Sequence, residues 1–382
     1  MSARILLYVR GFQEGGAEKQ VERLAYGLGR NRFQIAVGYS DPWGPVGDRL
    51  QAAGIRVLQI PARDQAEAER VIRASAPDIF HSFTHHDAVD IAAAAAAGVP
   101  AIAASRVNVR WWDERLEVRP WERVRNRMTH RITAVSQAAA AVCEEVESVE
   151  RRNIVVIHNG VAIPDLKRPG ANIRDELGLS PEIQLIGYVA NYRPAKDHET
   201  LLRSFRLVIG RRPGTHLVCC GLATPETRLR LAGLVRELGI EPRVSLLESR
   251  SAVDSVYRGL DLYVHSSRFE GFSNSLLEAM AHALPVVATD AGGNPEAVVD
   301  EVTGMLAPRG QPEALADAVV AMLSDSGRRK QFGQAGRTRA ERYFSVGIMV
   351  EAYARFYAEL LEPSYCSSQN TERVSGWRSA IA

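Results

Sequence analysis

Short apolar runs alternate with helix-patterned segments along most of this chain, and the alternation occurs twice. The first series predicts strands at 5–9, 34–39, 57–60, 79–82, 101–104, 132–135 and 154–157. A second series follows a break at Pro164–Pro169 and predicts strands at 185–190, 216–220, 244–246, 262–265 and 285–289. This alternation is typical of parallel sheets covered by helices on both faces. We therefore expect an α/β fold of two doubly wound, Rossmann-like halves that face each other across a cleft.

Helical periodicity fills the intervals between these runs. Helices are expected at 17–28, 66–75, 88–97, 137–146, 198–210, 227–238, 251–258, 273–282, 312–323 and 333–361. The first domain is expected to cover 1–165 with a returning C-terminal helix at about 345–363, and the second to cover 170–344. Residues 364–382 are polar and are predicted to form a flexible tail. Hinges are expected at Pro164–Pro169 and at Phe344–Ser345.

The composition excludes several classes of protein. A chain of 382 residues is too long for one ordinary core, and its net charge of +2 offers no broad basic field for nucleic acid. The four cysteines form no CxxC pair, which argues against a zinc site or a disulfide framework. The N-terminus lacks a signal-peptide pattern, and the alanine run at 92–97 is too short to span a membrane. We expect a cytoplasmic protein that touches membranes at most at their surface.

The strongest chemical signal lies at 268–279, where two glutamates stand eight residues apart. Glu270 falls in the loop after a predicted strand, and Ser273 is a good N-cap for the next helix. The first backbone N–H groups of this helix, with its positive dipole end, suit a diphosphate; they belong to Asn274, Ser275 and Leu276. Glu278 is expected to lean back toward this end and accept hydrogen bonds from a ribose diol. The alternative is a capped surface helix with ordinary charges.

Two further loops carry candidate ligand contacts. The loop at 191–197 follows the first strand of the second half, and Arg193 and Lys196 there can clamp a diphosphate leaving group without a metal. A solvated basic loop is the plainer interpretation. In the first half, Gly15 and Gly16 follow the first strand and open a helix, and paired glycines let a ligand approach the backbone. The pair is part of neither a GxGxxG nor a Walker motif, and a simple turn is the alternative.

These signals occur together with Val156–Val161, and the set closely resembles glycosyltransferase family 4 over roughly residues 3–361. The resemblance implies a GT-B fold in which the first domain binds the acceptor and the second binds a nucleotide-sugar donor. It implies that Glu270 meets the donor sugar, that Glu278 binds the ribose, and that Arg193 and Lys196 hold the diphosphate. The implied donor site further includes Gly15, Gly16, Asn191, Gly271, Phe272, Ser273, Asn274, Ser275 and Leu276, and the loop Gly292–Glu296 resembles one near the donor.

The stretch His81–Asp87 departs from the family pattern. The family often has a His-x-His sequence after the fourth strand, and its second histidine is replaced here by Phe83. His86 aligns best with a further histidine of related members, so we expect it to contact the reacting sugar and to move a proton near neutral pH. His85 is the second choice and an expected acceptor contact. A surface histidine is the alternative interpretation.

A segment rich in tryptophan and arginine follows at 106–127. Arg106 and Asn108 are expected to contact the acceptor. Trp111 and Trp112, with the nearby arginines, fit an anionic membrane surface, an acceptor groove, or core packing beside solvated arginines. The sequence leaves these three interpretations open.

The expected activity is that of a retaining, metal-independent glycosyltransferase that needs no cofactor. The donor is expected to be a UDP-sugar, with GDP as second choice, and the group transferred a hexose or N-acetylhexosamine. The expected acceptor is lipid-linked or a polysaccharide in bacterial cell-surface glycan biosynthesis, such as lipopolysaccharide, with peripheral contact to the cytoplasmic face of the inner membrane. The alternatives are a catalytically silent nucleotide-sugar-binding partner subunit, which the replacement at Phe83 favours, and a UDP-sugar 2-epimerase, which would react without an acceptor.

Overall fold

The structure is a computed structural model that describes residues 2–29, 33–84, 88–109, 119–250 and 253–362. It divides into two compact units. Unit 1 contains the chain up to Gly160 and resumes at Val346, and unit 2 runs from Val161 to Ser345. The sequence had placed the corresponding domain ends at 165 and 344. None of the described helices combines the length and the apolar character needed to cross a bilayer.

Unit 1 is built on a parallel sheet of seven strands in the order β3-β2-β1-β4-β5-β6-β7. Its elements are β1 (Ala3–Val9), α1 (Gly16–Leu28), β2 (Phe33–Tyr39), α2 (Pro45–Ala52), β3 (Arg56–Gln59), α3 (Gln65–Ser75), β4 (Ile79–Ser82), α4 (Val89–Ala96), β5 (Ala101–Arg106), α5 (Pro120–Met128), β6 (Arg131–Ala134), α6 (Gln137–Glu145) and β7 (Ile154–Val156). Strands are added on one side of β1 up to β3 and then on its other side from β4. The order therefore reverses between β1 and β4, where an open parallel sheet offers a crevice at its carboxyl edge.

Two apolar cores cover the faces of this sheet. The side chains of β1 alternate between them: Ile5 and Leu7 pack into one core, and Leu6 and Tyr8 into the other. A strand buried on both faces needs apolar residues at every position rather than at alternate ones. This requirement explains the continuous apolar run that marked β1 in the sequence.

Unit 2 is built on a parallel sheet of six strands in the order β10-β9-β8-β11-β12-β13. Its elements are α7 (Ile173–Leu177), β8 (Gln184–Val189), α8 (His198–Arg211), β9 (Thr215–Gly221), α9 (Pro225–Glu237), β10 (Val244–Glu248), α10 (Asp254–Gly259), β11 (Leu262–His265), α11 (Asn274–Ala281), β12 (Val286–Thr289), α12 (Asn294–Ala297), β13 (Met305–Ala307), α13 (Pro312–Ser324) and α14 (Ser326–Tyr343). Here the order reverses between β8 and β11. The crevice of this sheet therefore lies beyond the carboxyl ends of those two strands.

The last helix, α15 (Val346–Leu360), belongs to unit 1. The single helix predicted over 333–361 is wrong, because the structure divides it into α14 and α15. Val161 pairs with Ser345 in an isolated bridge, and its backbone N–H donates to the carbonyl of Phe344 at 2.7 Å. Backbone groups engaged in this pairing cannot continue the helix, so the chain is interrupted where it passes from one unit to the other.

The other predicted strands and helices are confirmed, with ends that move by a few residues. Of the helix predicted at 251–258, the described part begins at Asp254. The sequence missed α2, α5, α7, α12 and β13, which are short or carry charges on their buried faces. In α5, for example, both Glu122 and Arg125 are fully buried, and a search for apolar periodicity does not detect such a helix.

Candidate functional site

Two loops meet at the switch point of the unit 2 sheet. The loop after β8 contains a short 3-10 helix, Pro194–Lys196, and the loop after β11 carries Glu270. Because β8 and β11 are neighbours, both loops leave the same edge of the sheet side by side. The hydroxyl of Ser266 contacts the carbonyl oxygens of Lys196 and Asp197, each at 3.1 Å. The predicted cation loop and the predicted glutamate loop are thus fixed to each other.

Asp197 holds the end of the first loop in place. Its backbone is left-handed, with φ +45°, a conformation that aspartate tolerates better than most residues. Its carboxylate caps α8 by accepting from the backbone N–H of Thr200 at 3.1 Å and from the hydroxyl of the same residue at 2.7 Å. Arg268 Nε also donates to this carboxylate, at 2.6 Å. One role of Arg268, which opens the glutamate motif, is therefore to bind the two loops together.

The carboxylate of Glu270 is the point where the site groups converge. Its Oε2 atom lies 2.5 Å from Lys196 Nζ and 3.0 Å from His265 Nε2, and it accepts a hydrogen bond of 3.2 Å from Ser267 Oγ. Burial on its own raises the pKa of Glu270, but the charge of Lys196 and the contact with His265 outweigh it and lower that pKa to about 2. Glu270 is therefore an anion at neutral pH, and it directly contacts Lys196, which the sequence predicted to hold the diphosphate.

His265, at the end of β11, was not predicted from the sequence. Burial lowers the pKa of this fully buried ring, although Glu270 opposes the shift. A neutral ring carries one proton, and placing it on Nε2 lets the ring donate to Glu270 while Nδ1 faces the hydroxyl of Tyr263 at 3.4 Å. The available signal was a histidine that ends an apolar strand five residues before a candidate catalytic glutamate.

Three buried tyrosines form a layer beneath the site loops, and the sequence analysis missed them as well. Tyr188 donates to the carbonyl of Lys196 at 2.8 Å, and Tyr263 donates to Ser275 Oγ at the same distance. The third, Tyr257, reaches Glu278. Burial raises the pKa of all three hydroxyls, so they stay protonated and act as donors. Ordinary core positions thus supply the hydrogen bonds that shape the site.

Glu278 lies on α11, as the sequence predicted, and its carboxylate leans toward the first turn of the helix. Tyr257 donates to Glu278 Oε2 at 3.0 Å, and the same hydroxyl is 3.3 Å from the carbonyl of Ser275, three residues earlier. One side-chain contact therefore locates the carboxylate near the helix N-terminus. This position is the one expected for an acceptor of hydrogen bonds from a ligand bound at that end.

The N-terminus of α11 is partly used by its own cap. Ser273 Oγ accepts a hydrogen bond of 3.3 Å from the backbone N–H of Leu276. The sequence analysis had assigned this N–H group to a diphosphate, but the cap already uses it. Gly271 and Phe272 are buried, and the Phe272 ring packs edge-on against Phe344, with centroids 5.2 Å apart. Phe272 is therefore an anchor for the loop.

The Gly292–Gly293 turn supports Glu270 from behind. Gly293 donates its backbone N–H to the carbonyl of Glu270 at 3.1 Å. Gly292 has φ +51°, and a Cβ added there would lie 1.8 Å from the same carbonyl oxygen. A glycine is required at this position both by the backbone conformation and by the close approach. The loop that resembled one near the donor thus shapes the backbone that carries Glu270.

The remaining predicted residues of unit 2 lie at the same edge of the sheet. Arg193 is exposed on the loop that carries Lys196. Asn191 is half-buried, and its side-chain oxygen accepts from the backbone N–H of Leu222 at 3.1 Å, which ties the loop after β8 to the loop after β9. The structure therefore gathers all the predicted residues of unit 2 around one switch point.

In unit 1, the predicted glycine pair lies at the corresponding switch point. Gly15 is the N-cap of α1, and Gly16 is its first residue and is exposed. Glu14 braces this loop, because its carboxylate pairs with Arg49 at 2.7 Å and lies 3.4 Å from Lys19. The loop after β1 therefore presents backbone to solvent at the carboxyl edge of the sheet.

Arg106 does not occupy the exposed position expected of an acceptor contact. It is 2% exposed, and its guanidinium pairs with Glu147 at 2.9 Å and donates to Asn126 at 2.5 Å. These contacts join the end of β5 to α5 and to the segment after α6, so Arg106 holds the unit together. Asn108, two residues on, is exposed, and its role as an acceptor contact stays a prediction.

The replaced histidine position lies in the core of unit 1. Phe83 is 4% exposed and stacks on His81 with centroids 4.3 Å apart. His81 is itself fully buried, and its Nδ1 lies 2.7 Å from the hydroxyl of Tyr357. His85 and His86, the two histidines chosen as active-site contacts, lie outside the described residues.

The tryptophan–arginine segment was predicted to contact a membrane surface, an acceptor groove or the core, and the structure describes only part of it. Trp111 and Trp112 also lie outside the described residues. On α5, Arg125 is completely buried and pairs with Asp90 at 2.6 Å, so the arginines of this segment do not all form one basic surface.

The geometry of unit 2 suits a ligand with a negative charge and with hydroxyl groups. A cation, an ionised glutamate, a capped helix N-terminus and a second glutamate all lie at one switch point. Within the described residues, no group of three or more histidine, cysteine, aspartate or glutamate side chains is arranged to hold a metal ion.

Comparison with known proteins gives this arrangement a context. Residues 14–163 match the model of Glycosyltransferase Family 4, and residues 171–339 match that of Glycosyl transferases group 1. A D-inositol 3-phosphate glycosyltransferase of Mycolicibacterium smegmatis is 34% identical over 186 residues, which are 46% of this chain and 41% of that protein. The homologue of Mycolicibacterium gilvum is 38% identical over 163 residues, 40% and 35% of the two chains. The matches thus span about two fifths of these relatives.

Solved structures share the fold over nearly the whole chain. Anabaena HepE, in complex with UDP and glucose, has a TM-score of 0.82 and 21% identity and covers 94% of this chain and 100% of its own. The lipopolysaccharide outer core galactosyltransferase WaaB has a TM-score of 0.69 and 17% identity, with 94% and 99% covered. At these identities the likeness concerns the fold, which is GT-B. With two family models that together match most of its length, the chain belongs to glycosyltransferase family 4.

Proposed function

We propose that this chain is a retaining glycosyltransferase that moves a hexose or N-acetylhexosamine from a UDP-sugar to a lipid-linked or polysaccharide acceptor. The observation that carries the proposal is the ionised Glu270 in contact with Lys196, beside the N-terminus of α11. Supporting it, the Anabaena relative in fold is described in complex with UDP and glucose. We expect the reaction to need neither a metal nor a cofactor.

The reaction breaks the bond between the anomeric carbon and the diphosphate oxygen, whose electron pair leaves with the nucleoside diphosphate. An acceptor hydroxyl oxygen forms the new bond to that carbon, and its proton ends on the departing phosphate oxygen or on a base. Lys196 and Arg193 would stabilise the negative charge that develops on the departing diphosphate. Preorganised cations accelerate such a reaction most when they stabilise charge that develops in the transition state. In the absence of donor, Lys196 instead neutralises Glu270, so binding of the diphosphate would compete for this ammonium group.

The protonation state of Glu270 limits its role. With a pKa near 2, its carboxylate is an anion throughout the neutral range, so it stabilises positive charge that develops on the sugar and does not donate a proton. His86 is proposed to contact the sugar, and Gly15 and Gly16 are proposed to contact phosphate or acceptor. Glu278 is proposed to bind the ribose.

The acceptor is the least constrained part of the proposal. We favour a sugar of a lipid-linked or polysaccharide chain in bacterial cell-surface glycan assembly, such as lipopolysaccharide, with peripheral contact at the cytoplasmic face of the inner membrane. A relative in fold is named a lipopolysaccharide outer core galactosyltransferase. A phosphorylated cyclitol is the second candidate, because relatives with over 30% identity are named D-inositol 3-phosphate glycosyltransferases.

Calorimetry with UDP, GDP and ADP tests the donor site first. We expect one of them, UDP in our proposal, to bind in the micromolar range, and Glu278→Ala to weaken binding by about 1–3 kcal/mol because one buried contact is lost. The matched control is Glu182→Ala, which changes an exposed glutamate of the same unit. Equal binding by Glu278→Ala and the wild type would remove Glu278 from the site, and no binding at all would contradict a nucleoside diphosphate donor.

Turnover separates the proposal from its alternatives. Incubation of UDP-sugars with oligosaccharide, lipid-linked and inositol phosphate acceptors, followed by NMR of the product, should show transfer with retained anomeric configuration and no change on adding a chelator. Binding without turnover indicates a silent partner subunit. Conversion of the donor without any acceptor indicates an epimerase.

A further inference from the structure

Tyr257, which no sequence motif singled out, contacts the carboxylate that the proposed function assigns to the donor's ribose. We propose that Tyr257 is a positioning residue that orients Glu278 and thereby makes the site prefer a ribonucleoside diphosphate over its 2′-deoxy counterpart. This inference rests on the proposed function, because it concerns the same ligand. It adds a residue that lies on a different element, α10, and that need not touch the ligand.

The hydroxyl of Tyr257 holds one oxygen of the carboxylate. It donates to Glu278 Oε2 at 3.0 Å. Within the described ranges, the other acceptor in reach of its hydrogen is the carbonyl of Ser275, at 3.3 Å. A bond to a charged carboxylate is stronger than one to a carbonyl. Burial and the charge of Glu278 raise the pKa of Tyr257 well above its ordinary value, so the hydroxyl keeps its hydrogen as a donor.

The ring that carries this hydroxyl is itself fixed. Tyr257 is 1% exposed and stacks on His282, with centroids 4.9 Å apart and planes at 28°. His282 is held on both sides, since Nδ1 lies 2.7 Å from the carbonyl of Glu278 and Nε2 lies 2.8 Å from Asp254 Oδ1. Asp254, Tyr257, His282 and Glu278 thus form a closed arrangement between α10 and α11, in which the tyrosine cannot move without breaking other contacts.

Holding one carboxylate oxygen restricts the rotation of the whole group. Each carboxylate oxygen can accept two hydrogen bonds, so Oε2 can accept from a ligand while it is held by Tyr257. Two adjacent ribose hydroxyls match two oxygens in one plane, whereas a 2′-deoxyribose offers only one hydroxyl. An unrestrained glutamate would follow either sugar by rotating, and it would therefore discriminate less between them.

The ratio of two affinities tests this role. We would measure binding of UDP and 2′-deoxy-UDP to the full-length wild type, Tyr257→Phe, Glu278→Ala and the double variant by calorimetry, using the GDP pair instead if GDP is the ligand that binds. The wild type should prefer the ribonucleotide about tenfold, the effect of one hydrogen bond to a charged group. Tyr257→Phe should reduce this preference to about twofold, and Glu278→Ala should abolish it.

Phenylalanine keeps the ring and its stack on His282, so the variant removes only the hydroxyl. A general loosening of the unit would weaken the binding of both nucleotides alike and leave the ratio of their affinities unchanged. A change in this ratio is therefore specific for positioning. In the double variant, the loss of Tyr257 should have no further effect on the ratio, because its partner is absent. The control is Tyr26→Phe, which removes a tyrosine hydroxyl 3.1 Å from Glu22 Oε1 in unit 1.

The outcomes separate this inference from the proposed function. If the wild type prefers the ribonucleotide and Tyr257→Phe keeps the full preference, the positioning role is overturned while the donor site stands. If Glu278→Ala also keeps the preference, the ribose assignment of Glu278 falls and this inference falls with it. If the wild type binds neither nucleotide pair, the proposed function itself is contradicted.

If Tyr257→Phe unfolds, the deciding measurement is the same affinity ratio for Glu278→Gln. This variant keeps a side-chain oxygen that Tyr257 can hold. The inference then requires that Glu278→Gln still prefers the ribonucleotide, but less than the wild type does.

Discussion

At the scale of single residues, Glu270 Oε2 is contacted by three groups of different chemistry. Lys196 supplies a charge, His265 a ring nitrogen, and Ser267 a neutral hydroxyl. Burial alone would favour a protonated carboxyl, so the ionised state depends on these neighbours. The chemistry of this glutamate is therefore a property of its surroundings.

Because its pKa is lowered in the folded protein, Glu270 contributes stability that is present above its unfolded pKa. This contribution is lost as the pH falls through the folded value of about 2. We expect the urea midpoint of the wild type to exceed that of Glu270→Gln at pH 7, and the difference to shrink progressively below about pH 5. In Lys196→Met the main lowering influence is gone, so the folded pKa of Glu270 moves up toward the unfolded one and the stability lost on acidification should be smaller. Parallel pH dependences of all three proteins would contradict this account.

Glu270→Gln should also separate binding from chemistry. The amide keeps the size of the side chain but removes the charge, so kcat should fall by about a hundredfold or more, as for loss of other preorganised electrostatic groups. The dissociation constant for UDP should change by only a few fold, because Lys196 is then released from its ion pair. Steady-state kinetics and calorimetry on the same preparation check this, and an unchanged kcat would remove Glu270 from the catalytic residues.

At the scale of elements, the site depends on how loops are attached to the edge of the sheet. The loops after β8 and β11 are joined by Ser266 and by the pairing of Arg268 with Asp197, and the turn at Gly292 supports the second loop from behind. These contacts use the backbone carbonyls of Lys196 and Glu270 and leave their charged side chains, which are proposed to touch the substrate, out of the attachment. They decide instead whether Lys196 and Glu270 meet.

Two glycine variants separate backbone conformation from close packing. Gly292 and Gly310 both have positive φ, +51° and +70°, but a Cβ at Gly292 would meet the Glu270 carbonyl whereas one at Gly310 meets nothing within 4 Å. We expect Gly310→Ala to lower the free energy of unfolding by about 1 kcal/mol, which is the cost of placing a Cβ on a left-handed backbone. The variant should keep its activity. Gly292→Ala should cost more and should lose most of the activity, because the Glu270 loop must shift. Thermal unfolding and initial rates check both, and equal effects would contradict the packing argument.

At the scale of the whole molecule, the two units differ in how the chain builds them. Unit 2 is one continuous segment, whereas unit 1 is completed by α15 after the chain has left it and returned. The buried side chains of α15 pack into the core of unit 1; they are Met349, Tyr353, Ala354, Phe356, Tyr357 and Leu360. Tyr357 also reaches His81 in the middle of the sheet.

Fragments should therefore behave differently. We expect residues 161–345, expressed alone, to unfold cooperatively and to bind the nucleotide. Residues 1–160 alone should fail to fold, because burial of the large side chains of α15 contributes about 10 kcal/mol, comparable to the stability of a whole domain. Circular dichroism with urea titration checks both fragments. A stable, cooperative fragment 1–160 would show that α15 is dispensable.

The sequence by itself determined the fold class and most of the elements, and it supplied the charged residues that are candidates for the unit 2 site. It could do so because strands buried on both faces need continuous apolar runs. In addition, Glu270, Arg193 and Lys196 lie in loops that follow strands, and Glu278 lies on the helix that follows the Glu270 loop. The helical pattern over 333–361 did not show the break between α14 and α15, because both flanking segments are helical by local pattern. The domain end predicted at 344 nevertheless lies at this break, where Val161 pairs with the chain.

Only the tertiary structure decided which of these residues meet and what holds them. His265 and Tyr257 read as ordinary residues of an apolar strand and of a short helix, and they acquire their roles because residues distant in sequence lie beside them. Arg106 was expected to contact the acceptor, but it is buried, and Glu147, 41 residues away, balances its charge. Local pattern reports what a residue prefers by itself, whereas charge pairing, burial and orientation depend on neighbours that only the folded chain brings together.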